Sequence, residues 1–413
     1  MLTIIRAIRA FRSHLDVRTL VGALLVVLLL RVGLGLLALP ISAAFPHTPL
    51  EKDVRVVPGN APMSDWLQRV VVMPWVRYDA WNYQRIVDHG YRLEEGTAAF
   101  HPLYPLVTVP VALLLGGNIF LALLVVSTLA CIALSVLFAR YVKQVHGDSL
   151  AAPATWLLLL APPAFIVLVP YNEGLFMVLA VACLLALHSE RWWWAGVLGG
   201  LAALTRQQGV ALVLPLAWAV VVALRQERAR WWHMAAVALV PGGYALFVLY
   251  RAVALGDLEA LAHTEGVADF LRTLLVSRSS EQVLTGQRIT WPWELLIDQI
   301  HRIATTPQSY DLVIDMVLGW AGVLVIVAGW RILHPYERLY SLAIIGLSLC
   351  YYNGVRSPYL SLPRHIYIAF PLFIVLAAWA AKGGGHRLRW MGYALALGNI
   401  FLAGAFVRHG WVP

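Results

Sequence analysis

The sequence predicts an all-α polytopic membrane protein of about eleven transmembrane helices, forming a single membrane-embedded domain over residues 1–413. Three observations carry that expectation. Hydrophobic residues make up 60% of the chain and charged residues 13%, too little polar surface to clothe a soluble globule, and the mean hydropathy is +0.73. The apolar residues come in runs that can cross a hydrocarbon core of roughly 30 Å as helices. Lys and Arg collect in alternate connections between those runs, as a fixed orientation in a membrane requires.

Residues 1–18 carry Arg6, Arg9, Arg12 and Arg18, and the apolar run that follows to Ala44 is longer than a signal-peptide core. It reads as a retained first span with a cytoplasmic N-terminus. Arg31 lies inside that span and must face other helices or snorkel, because a charge turned toward lipid is costly. Residues 45–116 form a first outer loop. Its stretch from Pro74 to Pro105, PWVRYDAWNYQRIVDHGYRLEEGTAAFHPLYP, is a polar and aromatic island in an otherwise apolar chain. Within the island a short helix is expected, with Asp79 at its N-cap and Gly90 as its stop. Residues 103–116 are too short to cross and read as an interfacial segment in the outer leaflet.

Spans are expected at about 118–139, 150–169, 174–188, 192–205, 209–224, 232–253, 312–330, 339–352, 365–381 and 390–407. The second large outer loop, 254–311, carries Trp291, Pro292, Trp293 and Pro307 and reads as a partly ordered cap. With 103–116 left uncrossed, the inner connections hold 15 basic against 5 acidic residues and the outer ones 14 against 16. This topology brings three further polar clusters to the face of the island: PYNEG (170–174), LTRQQG (204–209) and RSPYLSLPRH (356–365). It leaves the C-terminus on that same, extracytoplasmic, side.

Each cluster also has a plainer reading. Asp79 and Glu173 can be helix caps, and Arg206, Arg364 and His365 can be interfacial anchors. In TRQQG, however, four consecutive hydrogen-bonding side chains between tight spans are poorly placed in lipid, which favours a phosphate-binding Arg206. Trp192, Trp193, Trp194, Trp231 and Trp232 lie beside inner basic residues as an aromatic belt. Cys131, Cys183 and Cys350 all fall in apolar runs and read as packing residues, with neither a disulfide framework nor a metal site.

The chain has no GxxxxGK[ST], HExxH or GxSxG motif and no GxGxxG after a strand, so nucleotide hydrolysis, zinc proteolysis, serine hydrolysis and dinucleotide chemistry lack their residues. The net charge of +9 is dispersed among short connections rather than gathered in a nucleic-acid footprint. A polar outer site beside an interfacial segment instead suits a substrate with its tail among the membrane lipids and an anionic head.

The ordered series RYDAWNYQRIVDHGY, AAFHPLYP, APPAFIVLVPYNEGLF, GVLGGLAALTRQQG and, more loosely, LPRHIYIAFPLF resembles the PIG-V-like mannosyltransferases. These are relatives of GPI mannosyltransferase II within the GT-C glycosyltransferases, and the likeness covers roughly residues 17–225. The resemblance implies a GT-C-like enzyme of the cell membrane that takes a sugar, mannose on this likeness, from a polyprenyl-phosphate-sugar donor. The sugar passes with inversion to a hydroxyl of a glycan, glycolipid or protein acceptor on the extracytoplasmic side. The lipid-linked sugar phosphate is then a co-substrate, and no metal or other cofactor is called for.

In that family pattern Asp79 looks like the catalytic base. Arg206 and Arg364 would stabilise charge on the leaving phosphate. Glu94 and Glu95 would orient acceptor hydroxyls, and Trp81, Tyr83 and Tyr91 would stack on sugar faces. Asn82, His101, Tyr104, Tyr171, Asn172, Glu173, Gln207, Gln208 and His365 complete the expected substrate-binding set. The rival class is a transporter or flippase of a lipid-linked saccharide, which predicts internal repeats and polar residues spread through the midplane. The charges within or at the ends of spans are mainly Arg31, Arg251 and Asp315, and the island is not repeated. A third class, a noncatalytic membrane scaffold, would tolerate Asp79→Asn.

Overall fold

The computed structural model describes residues 17–44, 71–257, 288–307, 309–354 and 357–408. The chain begins with α1 (Val17–Ala44), α2 (Asp79–His89), α3 (Leu103–Leu114), α4 (Ile119–His146), α5 (Asp148–Leu160), α6 (Glu173–His188), α7 (Trp192–Thr205) and α8 (Val213–Arg225). It continues with α9 (Met234–Ala254), α10 (Pro292–Thr305), α11 (Tyr310–Ala328), α12 (Pro335–Cys350), α13 (Leu362–Tyr367), α14 (Pro371–Ala381) and α15 (Gly384–Val407). A two-residue antiparallel ladder pairs β1 (Arg288–Ile289) with β2 (Tyr351–Tyr352). Among the described residues six helical segments are long and apolar enough to cross a membrane: α1, α4, Gln207–Arg225, α9, α11 and α15. The protein is an all-α polytopic membrane protein.

The most buried of these six is α4, whose Phe120, Leu123, Leu134, Phe138 and Tyr141 are enclosed by its neighbours. It contacts α1, α2, α3, α5 and α6. By contrast α1 is peripheral, and one arginine pins it to the bundle. Arg31 donates to the Thr128 hydroxyl and to the carbonyls of Leu124 and Leu168, so it faces other helices as expected.

Helices α7 and α9 meet almost backbone to backbone. A methyl group on Gly200 would strike the Leu239 carbonyl, and one on Gly243 would strike the Gly200 carbonyl. Small residues of this kind allow close contact where lipid supplies no hydrophobic drive between helices.

The structure departs from the expected spans where the chain must reach the polar clusters. The run at 150–169 is helical only to Leu160, because Pro162 and Pro163 remove backbone donors and bias the residue before each away from helix. The following segment is irregular apart from a 3₁₀ turn at Ala164–Val167. Likewise α7 stops at Thr205 and α8 resumes only after a 3₁₀ stretch at Gln207–Leu212, while 365–381 divides between α13 and α14. Non-helical backbone inside a membrane protein is tolerated where protein buries it or where it lines a cavity. Here it does both.

At the other end of the bundle Glu337 is fully buried and accepts hydrogen bonds from Tyr141 Oη at 2.9 Å, His146 Nε2 at 2.7 Å and the His334 amide at 2.7 Å. Trp193, Trp194, Trp231 and Trp232 are exposed as a belt requires, but Trp192 is buried and belongs to the packing. Cys131 and Cys183 are buried, Cys350 is partly buried, and all three are free thiols. Residues 45–70 of the first large loop and 258–287 of the second lie outside the described residues.

Candidate active site

The short helix in the island is present, and Gly90 stops it at φ 82° with its N–H bonded to the Ile86 carbonyl. Asp79 is not its cap. Tyr78 holds that position at φ 46°, with no capping side chain, and Asp79 lies in the first turn. A bulky residue at positive φ costs on the order of 1–3 kcal/mol. Packing of the Tyr78 ring on Phe406, at 5.8 Å between centroids, helps to hold it. The Asp79 carboxylate is thereby released from the helix end, and Oδ2 accepts from Arg364 Nη2 at 2.7 Å.

Arg364 comes from α13, which starts behind a second strained residue, Ser361 at φ 63°, whose amide donates to Asp315 Oδ2 at 3.1 Å. The buried guanidinium lies 4.6 Å from the Tyr171 ring centroid, and its Nε reaches Glu173 Oε1. Burial opposes its charge, but Glu173 and Asp79 outweigh that and hold its pKa above the ordinary range.

Arg206 leaves the end of α7 on extended backbone. Its Nη1 meets Glu173 Oε1 and donates to Asn172 Oδ1 at 2.8 Å, and its Nε donates to Gln208 Oε1 at 3.3 Å. The Asn172 amide is oriented by donating to the Thr205 carbonyl at 2.7 Å. Gly209 makes the turn possible, since a Cβ there would collide with the Ala203 amide. Asp79, Arg364, Glu173, Arg206 and Asn172 thus form one network drawn from four segments. Arg206 and Arg364 are buried ion-pair partners rather than interfacial anchors, and Glu173 is the network's hub rather than a cap. Its second oxygen, Oε2, is buried without a hydrogen-bond partner among the described residues.

A cavity of about 200 Å³ opens against this network. Of the expected set, Asp79, Tyr83, His101, Asn172, Arg206, Gln207, Gln208, Arg364 and His365 line it. His101 Nδ1 lies 2.9 Å from the Ala203 carbonyl. A carbonyl only accepts, so the proton is on Nδ1 and Nε2 is the acceptor. Burial pushes the His101 pKa down to about 3 against that hydrogen bond, with help from the positive charges of Arg206 and Arg251. Burial, then the charges of Asp79 and Glu173, raise Tyr83 well above its ordinary value, so it remains a phenol. The cavity wall therefore combines two ion-paired arginines with neutral imidazole, phenol and amide groups.

The other expected residues do different work. Tyr171 and Glu173 support Arg364 without lining the cavity. Tyr104 Oη donates to the Leu123 carbonyl at 2.9 Å and pairs with Ser127 Oγ at 2.7 Å, tying α3 to α4. Trp81 is on the side of α2 opposite Asp79 and packs edge-on against Phe120, and Asn82 does not reach the cavity. Tyr91 packs on Phe247 and Tyr250 and donates to the Phe100 carbonyl at 2.8 Å. Glu94 is exposed, and Glu95, in a 3₁₀ turn that ends at Gly96 (φ 69°), faces His89 at 3.5 Å and Arg92 at 3.7 Å. Neither glutamate reaches the site. Sequence reasoning missed Ala99, Phe100, Tyr351 and Asn353, which line the cavity. The signal for the last two was YYNG, a turn marker at the end of an apolar run. Among the described residues no set of three or more His, Cys, Asp or Glu side chains is placed to share a metal ion.

Fold and site together define a polytopic membrane protein with a buried arginine–carboxylate network and a polar chamber at one end of its helices. Residues 100–351 match the model of glycosyltransferase family 87, and the chain belongs to that family. The glycosyltransferase class implied by the motifs therefore holds. The match begins after Asp79 and ends before Arg364. A crystal structure of the Archaeoglobus fulgidus oligosaccharyltransferase, in complex with Zn and sulfate, is similar at 13% identity with a TM-score of 0.42. The similarity covers 93% of this chain and 53% of that one, so this chain spans about half of that protein's length. No curated protein gives a significant match.

Proposed function

We propose that this single-domain, GT-C-like membrane glycosyltransferase moves a hexose, mannose on the motif resemblance, from a polyprenyl-phosphate donor to an acceptor hydroxyl. The acceptor oxygen attacks the anomeric carbon as the bond from that carbon to the phosphate oxygen breaks, which inverts the centre. Asp79 takes the hydroxyl proton, a contribution of about 10²–10⁴-fold. The leaving polyprenyl phosphate keeps the bonding electrons, and Arg206 and Arg364 meet the charge that builds on it.

The observation that carries this reading is the sharing of Arg364 between Asp79 and Glu173 at the wall of the cavity. A donor phosphate competes with both carboxylates for the guanidinium, so its arrival loosens Arg364 from Asp79 and frees the base when a sugar is in place. The cavity is smaller than the roughly 300–1,000 Å³ of a typical small-molecule pocket, which suits a polar head with its lipid outside. Helix α3 starts two residues after His101 and exposes Leu106, Leu113 and Leu114, a hydrocarbon surface on which that lipid can lie. The bias of basic residues supports a site on the extracytoplasmic face of the cell membrane.

The test is transfer by the protein in lipid nanodiscs, given polyprenyl-phosphate mannose or polyprenyl-phosphate glucose and glycolipid extract as acceptor. Wild type is expected to transfer and Asp79→Asn to lose about 10²–10⁴-fold. Equal transfer by both ends the base assignment, and transfer only from a nucleotide sugar ends the donor assignment. Mass spectrometry of glycans and glycolipids lost on deleting the protein identifies the acceptor.

A further inference from the structure

The expected cap over the site contains α10, and its surface is wrong for water. Trp291, just ahead of the helix, and Trp293, Ile297 and Ile300 within it are each more than half exposed. Positions 293, 297 and 300 follow i, i+4, i+7 spacing and make one stripe. The face bearing Leu295 and Gln299 is buried, and α10 contacts α11 and α12. A third flank carries Glu294, Asp298 and Arg302, with Arg302 Nε 3.7 Å from Asp298 Oδ1. One apolar face is therefore packed on protein, and the second is open. At its start the Trp291 and Trp293 rings stack at 4.9 Å and 8°.

We propose that α10 lies in the plane of the membrane, with its open stripe in the boundary between phospholipid headgroups and acyl chains on the side of the cavity. Its position supports that occupant. The helix ends at Thr305 and α11, a helix long and apolar enough to cross, begins at Tyr310. Gln299 Nε2 donates to the Leu312 carbonyl at 2.8 Å, which fastens α10 alongside the first turn of α11. The apolar surface continues from there along α11 through exposed Val317 and Leu324. Stacked tryptophans beside an apolar stripe and a charged flank are what an interfacial helix presents.

The seating matters for the cavity because α10 grips the segment that forms part of its rim. Tyr352 Oη donates to Asp298 Oδ2 at 2.8 Å, the Tyr359 amide to Gln299 Oε1 at 3.3 Å, and Tyr359 Oη to the Pro292 carbonyl at 3.3 Å. Tyr351 and Asn353, on either side of Tyr352, line the cavity. The depth of α10 in the bilayer thus sets the height of that rim. The seating of α10 depends on neither the identity of the donor nor that of the base.

The experiment uses the full chain in vesicles of phosphatidylcholine and phosphatidylglycerol brominated at shallow or deep acyl positions. Subtracting the tryptophan emission of W291F/W293F from that of wild type isolates the stacked pair among the 17 tryptophans. Shallow bromines are expected to quench roughly half of that difference or more, and deep bromines less, as for an interfacial aromatic. Phenylalanine keeps the aromatic bulk, and Ile297→Trp in the double-variant background is expected to restore a lipid-quenched signal even if the pair's packing changes. Quenching by aqueous iodide but not by bromolipid would return α10 to the role of a cap in water. Protection from both quenchers would indicate a protein covering, and quenching only by a brominated polyprenyl phosphate would assign the stripe to the donor tail. Each of these three outcomes overturns the proposal.

Discussion

Asp79 and Glu173 share one guanidinium, yet their burial predicts different consequences of neutralising them. Glu173 is fully enclosed between Arg206 and Arg364, so Glu173→Gln leaves buried Arg206 without its carboxylate and Arg364 with Asp79 alone. The expected loss is about 3–5 kcal/mol of stability, read as a fall in Tm in detergent, together with loss of transfer. The Asp79 side chain is a quarter exposed, and Asp79→Asn is expected to cost on the order of 1 kcal/mol or less in stability while removing transfer. Equal falls in Tm for the two variants would contradict this division. His101 carries a pH prediction of its own. With its pKa near 3 in the fold against 6.5 in the free side chain, the unfolded chain takes up a proton between those values and the folded chain does not. Stability is therefore complete above about pH 6.5 and falls as pH drops below it, by up to about 1.4 kcal/mol per pH unit. Tm measured at about pH 7.5 and about pH 5 should differ less in His101→Gln than in wild type.

Among the elements, the turn after α7 is the most constrained by contact. Gly209→Ala forces a methyl into the backbone of Ala203, and overpacking of this kind costs about 1–3 kcal/mol. The shift must also move Arg206, Gln207 and Gln208, so donor KM is expected to rise as Tm falls, whereas Gly242→Ala, with open space at its Cβ, should leave KM unchanged. The polar character of this turn was legible in TRQQG, but its fold was not, since nothing in the sequence says which atoms a glycine's missing side chain makes room for. Long helices were legible for the opposite reason, that lipid leaves unpaired backbone few alternatives. The breaks were harder. Pro162 and Pro163 sit inside a run that hydropathy alone joins into one span, and the chain unwinds there to bring Asn172 and Glu173 to Arg206. Nearness to Asp79 in sequence does not bring Glu94 and Glu95 to the cavity, because Glu94 turns to the exterior and His89 and Arg92 take up Glu95. Asp79 was misread as a cap because the unusual backbone of Tyr78 has no signature in residue type.

At the scale of the whole molecule the bundle is held by a polar clasp at each end of an apolar middle. Arg364 joins residues 285 and 191 positions away, Asp79 and Glu173, while Glu337 joins His146 across another 191. Helices in lipid gain little from burying apolar surface against one another, so such clasps contribute to register and partner choice. None of the residues of the far clasp lines the cavity. Glu337→Gln keeps an acceptor but loses the second carboxylate oxygen that serves the His334 amide, an expected cost of about 1–3 kcal/mol. Donor KM and kcat of the folded fraction should not change. Because the two clasps share no residue and sit at opposite ends, the falls in stability for Glu173→Gln and Glu337→Gln should add to within about 0.5 kcal/mol in the double variant. A larger discrepancy, or a shift in donor KM from Glu337→Gln alone, would mean that the two ends are coupled through α4 and α6, the helices that run between them, and that the chamber is not set by its own network.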